Sequence, residues 1–166
     1  VSIPHLKDAY WLGVNYGLVE EAEARDIVIS IYEAGGYDKQ DIQIQQIEKC
    51  VAKGIDALIV STISLAGAND ALAKAQAKGI PVIDMINGAS YPELAARAAA
   101  DFYDNGFATG KYLVNRHEKS KLPISVLWFP GPKEAGWSQR ADLGFRDAIK
   151  GSKVTILTTG YGDTGK

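Results

Sequence analysis

Short apolar runs alternate with longer segments of helical spacing along this chain, and nothing else in it limits the fold as much. The stretch 56–86 shows the pattern: "DALIVST", then "ANDALAKAQAKG", then "IPVIDMI". The flanking runs are short and apolar, as buried strands are, and Gly79 stops the helix between them. The same reading predicts a short apolar start at 1–3 and strands at 27–32 ("IVISIY"), 124–129 and 154–159. It predicts helices from Asp8 to Ala24, over 41–54, over 102–119 and over 139–149. In the first helix Trp11, Leu12, Tyr16, Val19 and Ala22 make the expected apolar face, with Asp8 as N-cap. In the second, Ile47, Cys50 and Val51 face inward and Gly54 is the stop.

Strands alternating with helices of this length argue for an α/β fold, a doubly wound parallel sheet with helices on both faces. The strands read as continuous apolar runs, as strands covered on both sides do. Ligands of such sheets bind beyond the carboxyl ends of the strands. That rule singles out "PHLKDAYW", "EAGGYD", "STISLAG", "NGASY", "PGPKEAGW" and "GYGDTGK". The last strand ends near Thr159 with no helix after it, so the chain is expected to be part of a longer protein.

Composition removes several classes of function. The net charge of -2 gives no electrostatic footprint for nucleic acid. No apolar run approaches the ~18 residues that span a membrane. Cys50 is the one cysteine, so no internal disulfide can form, and it reads as a small core residue.

"GYGDTGK" matches G-x-G-x-x-G through Gly160, Gly162 and Gly165, and G-x-x-x-x-G-K through Lys166. It lacks the following Ser/Thr and the following helix, and Asp163 would repel a phosphate, so it reads as a flexible loop. His5 and His117 stand alone without a second ligand at metal spacing, which predicts surface or capping roles and no metal. Ser61 and Thr62 follow a strand without a nucleophile elbow, and serve either as site hydroxyls or as helix caps. No nucleophile, base and orienting group come together, so no enzyme and no cofactor are expected.

The aromatics carry more. Tyr10, Trp11, Tyr37, Phe102, Tyr103 and Trp137 all fall at or beside strand carboxyl ends. Each is either a core side chain or a ligand contact. As a set they suit a methylated cationic nitrogen, which prefers aromatic faces because it has no proton to donate. Asp8 strengthens that preference, while the helix N-terminus favours a negative oxygen.

The succession "HLKDAYW", "EAGGYDKQDIQIQQIEKCVAKGIDALIVS", "KAQAKGIPVIDMIN", "DFYDNGFATGKYL" and "GFRDAI" resembles the type I periplasmic binding proteins over the whole chain. The resemblance implies two lobes around a cleft, with 1–101 as lobe one and 102–166 as the start of lobe two. "LKDAYWLGVNYG", "EAGGY" and "FPGPKEAG…GFRDAI" are similar to members that sense trimethylamine N-oxide. Those members imply a periplasmic location and a membrane sensor histidine kinase as partner. They also imply an aromatic cage of Asp8, Tyr10, Trp11 and Tyr37, with Phe102 nearest the slot where a Trp is expected; Trp137, at a strand carboxyl end, is a further candidate ligand residue. Sugar-binding members carry Arg where this chain has Ala141 and Asn87, with Arg140 displaced by one. The alternative is a sugar- or autoinducer-binding member serving a transporter permease.

Overall fold

In the computed structural model, which describes residues 1–164, the alternation becomes two parallel sheets. The chain divides into two units. One is Val1–Ala99, rejoined from Asp163, and the other is Ala100–Gly162. The resemblance implies a single lobe from 102 onward. The structure instead packs Asp163 and Thr164 with the first unit.

The first unit is built on β1 (Ser2–Ile3), β2 (Tyr32–Glu33), β3 (Leu58–Val60), β4 (Val82–Met85) and β5 (Ala96–Ala98). They lie in the order β2-β1-β3-β4-β5, every pair parallel. Helices α1 (Ala9–Ala24), α2 (Gln40–Ala52) and α3 (Asn69–Ala77) connect them. Leu58, Val60 and Val82 pack with Ile47, Val51, Leu72 and Ala75 of α2 and α3. Ile59 packs in the other core, with Ile3, Met85 and, from α1, Trp11, Val14 and Leu18. Successive residues of β3 thus serve opposite faces, as a doubly wound sheet requires.

Two expectations are corrected, and one strand appears that the sequence does not predict. The buried face of α1 is Trp11, Val14, Leu18 and Ala22, whereas Leu12 and Tyr16 are exposed. Trp11 anchors the helix inward, and spacings of three and four from it miss Leu12 and Tyr16. The strand expected at 27–32 shrinks to Tyr32–Glu33. Ile27 still bonds back to Ala22 O of α1 and Val28 is 97% exposed, so the chain is leaving the helix there. Conversely β5, whose "ARA" has no strand propensity, forms because Ile83, Asp84 and Met85 offer it a parallel edge.

The second unit comprises α4 (Phe102–Arg116), β6 (Ile124–Gly131), α5 (Gly136–Ile149) and β7 (Val154–Tyr161), with β6 and β7 parallel. Phe145, Ile149 and Val154 form its core, and the Trp128 ring stacks on Phe145 at 3.9 Å. Helices α4 and α5 touch through glycines: a Cβ at Gly106 would collide with Ala141 O, and one at Gly144 with Tyr103 O. Burial on both faces, expected of every strand, does not hold here among the described residues. Leu127, Phe129 and Leu157 are exposed, so β6 and β7 cover one face only.

Candidate functional site

The strand carboxyl ends of the first unit carry a connected set of side chains. At the end of β1, Asp8 caps α1, its Oδ1 accepting the Trp11 N–H at 3.0 Å. That cap aims Trp11 inward, where it is 2% exposed, and leaves Tyr10 outward at 56%. The two rings meet edge to face at 5.7 Å. Burial first, and then the Asp8 charge, raise the Tyr10 phenol above its ordinary pKa.

After β2 the chain turns through Gly35 (φ 100°) and Gly36, both of whose N–H groups donate to Pro4 O, at 2.9 and 3.0 Å. This turn presents Tyr37. Its hydroxyl lies 3.0 Å from Asn87 Nδ2 and 3.2 Å from Asn87 Oδ1. Asn87 follows β4 and is 1% exposed; Nδ2 also donates to Thr62 O at 2.9 Å. It is delivered by Ile86, a β-branched residue at φ 69°, a backbone conformation that costs of order 1–3 kcal/mol. Ser61 Oγ accepts the Asn87 N–H at 3.4 Å and Thr62 Oγ1 donates to Gly88 O at 3.3 Å. Both hydroxyls therefore tie the ends of β3 and β4 together.

His5 departs from the surface or capping role expected of it. It is fully buried, its ring edge-on to Tyr37 at 5.6 Å and to Trp11 at 6.2 Å. Nδ1 accepts the Lys7 N–H at 3.2 Å, which leaves the proton of a neutral ring on Nε2, 2.9 Å from Thr164 Oγ1. Asp163, expected in a flexible loop, is equally engaged. It takes the Tyr37 N–H at 3.3 Å, the Thr164 N–H at 2.9 Å and the Lys7 ammonium at 3.4 Å. Gly165 and Lys166 of the same motif lie outside the described residues.

The second unit carries its own aromatic pair. Phe102 opens α4 and Trp137 lies in the first turn of α5, with ring centroids 5.8 Å apart at 49°. Gly131 makes room, since a Cβ there would run into the Trp137 ring. Tyr103 turns aside: its hydroxyl donates to Asp147 at 3.0 Å and Arg140 lies over its ring at 5.2 Å. Arg140 also pairs with Asp101 at 3.3 Å. Asp101 caps α4 through the Tyr103 N–H, and that bond first, then Arg140, holds its carboxyl below the usual range. His117 stands at the C-cap of α4 and Cys50 is buried in α2, as read.

Gln43 and Asp84 are among the buried polar groups that the sequence does not single out. Gln43 of α2 is fully buried, donating to Ser61 O and accepting from Ile63 N–H, both at 2.9 Å. Its position four residues before Ile47, on the apolar face, was the available signal. Asp84, fully buried in β4, takes Arg97 Nε at 2.7 Å from β5, and no sequence signal could pair them while β5 was unseen. Among the described residues no group of His, Cys, Asp and Glu could hold a metal ion.

This is a doubly wound α/β fold with polar and aromatic side chains gathered at strand carboxyl ends, where such sheets take their ligands. The chain belongs to the periplasmic binding protein domain family, whose model matches residues 1–166. This is a family of binding domains, not of enzymes. The chain is 35% identical to the periplasmic protein TorT of Escherichia coli K12, over 96% of itself and 45% of that protein. It is 48% identical to an ABC transporter solute-binding protein from Bradyrhizobium sp. BTAi1, solved with bound bis-tris. That match has a TM-score of 0.73 and covers 99% of this chain and 49% of the other. The complex of TorT with the TorS sensor domain in the presence of TMAO matches at 32% identity and a TM-score of 0.76. It covers 96% of this chain and 54% of the other. The chain thus spans about half the length of the relatives it matches. No helix among the described residues is long and apolar enough to cross a membrane.

Proposed function

We propose that this chain is the ligand-recognising part of a periplasmic solute-binding protein for a small amine whose nitrogen carries only carbon or oxygen, with trimethylamine N-oxide the first candidate. The observation that carries the reading is the closure of polar groups at the strand ends of the first unit. Asn87 stands where sugar-binding members carry Arg, and its carboxamide is spent on Tyr37 and Thr62. Arg140 is held by Asp101. The fork of donors that suits sugar hydroxyls is missing at Asn87, and at Arg140 one nitrogen of it is taken by Asp101. Aromatic faces and a carboxylate suit a nitrogen without donatable protons. In the first unit Asp8, Tyr10 and Tyr37 are the proposed ligand residues, while Trp11, 2% exposed, is a core side chain; in the second unit the proposed ones are Phe102 and Trp137. A relative solved with TMAO present supports the same chemistry.

The TorT relative, whose complex is with the sensor domain of TorS, supports a proposal for the partner. A membrane sensor kinase is therefore the proposed receiver. Delivery to a transporter is the second reading, favoured by the 48% identical transporter protein. Calorimetric titration of the full-length protein with trimethylamine N-oxide, choline and ribose tests the ligand. Heat with ribose and none with trimethylamine N-oxide would overturn the reading.

A further inference from the structure

We propose that His5, Asp163 and Thr164 are positioning residues for Tyr37, fastening the returning chain to the turn that presents this side chain. The proposal rests on reading Tyr37 as a ligand contact, and it is carried by groups distant in sequence that converge on one residue. Asp163 holds the Tyr37 backbone through its N–H at 3.3 Å. His5 holds the Tyr37 ring edge-on at 5.6 Å. The two are joined, because Thr164 follows Asp163 and its hydroxyl lies 2.9 Å from His5 Nε2. Lys7 closes the ring of contacts, its N–H on His5 Nδ1 and its ammonium on Asp163.

Each of these groups is spent on the fastening. Asp163, with its side chain 8% exposed, places one oxygen on Lys7 and the other on the N–H groups of Tyr37 and Thr164. His5 is fully buried, with both ring nitrogens engaged. Gly36 leaves the space, since a Cβ there would approach Asp163 Oδ2 to 2.8 Å and Lys7 Nζ to 3.0 Å. A buried carboxylate on a backbone N–H is a charge-assisted bond, stronger than a neutral one and directional. Tyr37 thereby has its backbone fixed by Asp163, its ring by His5 and its hydroxyl by Asn87.

Amide hydrogen exchange of the full-length protein tests this without a ligand. In Asp163→Ala and Thr164→Val the Tyr37 amide is expected to exchange at least about tenfold faster, while the Ile47 and Val51 amides of α2 keep their rates. Thr164→Ser keeps the hydroxyl and is expected to keep the wild-type rate. A wild-type Tyr37 rate in both of the first two variants would overturn the proposal. So would an equal rise at Tyr37, Ile47 and Val51, which would mark a global loss of stability. Trimethylamine N-oxide titrated into Asp163→Ala and Thr164→Val is expected to bind roughly five- to tenfold more weakly. If the wild type itself gives no heat with this ligand, the functional reading fails, while the exchange rates still decide the positioning role.

Discussion

Trp11 and Asp8 separate packing from recognition. Trp11 sits in the core of Ile3 and Met85, so Trp11→Ala should destabilise the first unit by about 3–5 kcal/mol, read from chemical denaturation. Trp11→Phe should cost less, because most of the ring contact stays. Asp8→Asn keeps an equally good N-cap, so stability should hardly change while affinity for trimethylamine N-oxide falls and any affinity for ribose does not. An equal loss for both ligands would mean that Asp8 acts through the helix alone. Tyr10 and Trp11 are neighbours with opposite fates. The Asp8 cap decides which of them turns inward, and the Tyr-Trp pair in the sequence does not say which.

Helices of this molecule use glycine in two ways. Gly106 lies against Ala141 O where α4 meets α5, so Gly106→Ala must push the helices apart, costing about 1–3 kcal/mol or more. Gly13 of α1 has nothing within 4 Å of an added Cβ, so Gly13→Ala should stabilise by roughly 0.5–1 kcal/mol. Urea unfolding of the two variants checks the contrast in sign. The α4 cap also carries a pH dependence. The Asp101 carboxyl is held below its usual range chiefly by the Tyr103 N–H. A depressed native pKa gives stability that is full above the unfolded-state pKa and lost as pH falls through the native one. Melting temperature should therefore drop on acidification through the carboxylate range, and less steeply in Asp101→Asn.

At the scale of the molecule, ligand and partner become measurable together. A ligand that binds only the native state stabilises it by mass action, by about 2.7 kcal/mol at a hundredfold excess over Kd, and so raises the melting temperature. Trimethylamine N-oxide should produce that shift in the full-length protein and ribose should not. If the sensor-kinase reading holds, the protein should co-elute with the periplasmic domain of its kinase in gel filtration. Co-elution with a permease instead would favour the transport reading.

Apart from β5, the element order was legible in the sequence, as were the parallel α/β class and the caps of α1 and α3, because propensity and periodicity are local. Gly79 stops α3, and Asp8 starts α1, by bonds that reach only a few residues. What the tertiary structure decided was every outcome that depends on distant residues. β5 exists because β4 offers it an edge, although "ARA" by itself favours no strand. His5 is buried because Thr164, 159 positions away, comes back to receive its Nε2, and Asp163 leaves the phosphate-loop pattern to hold Tyr37. A side chain's burial depends on which segments pack over it. Sequence periodicity specifies which face of a helix or strand is apolar, but not which distant residue will cover it.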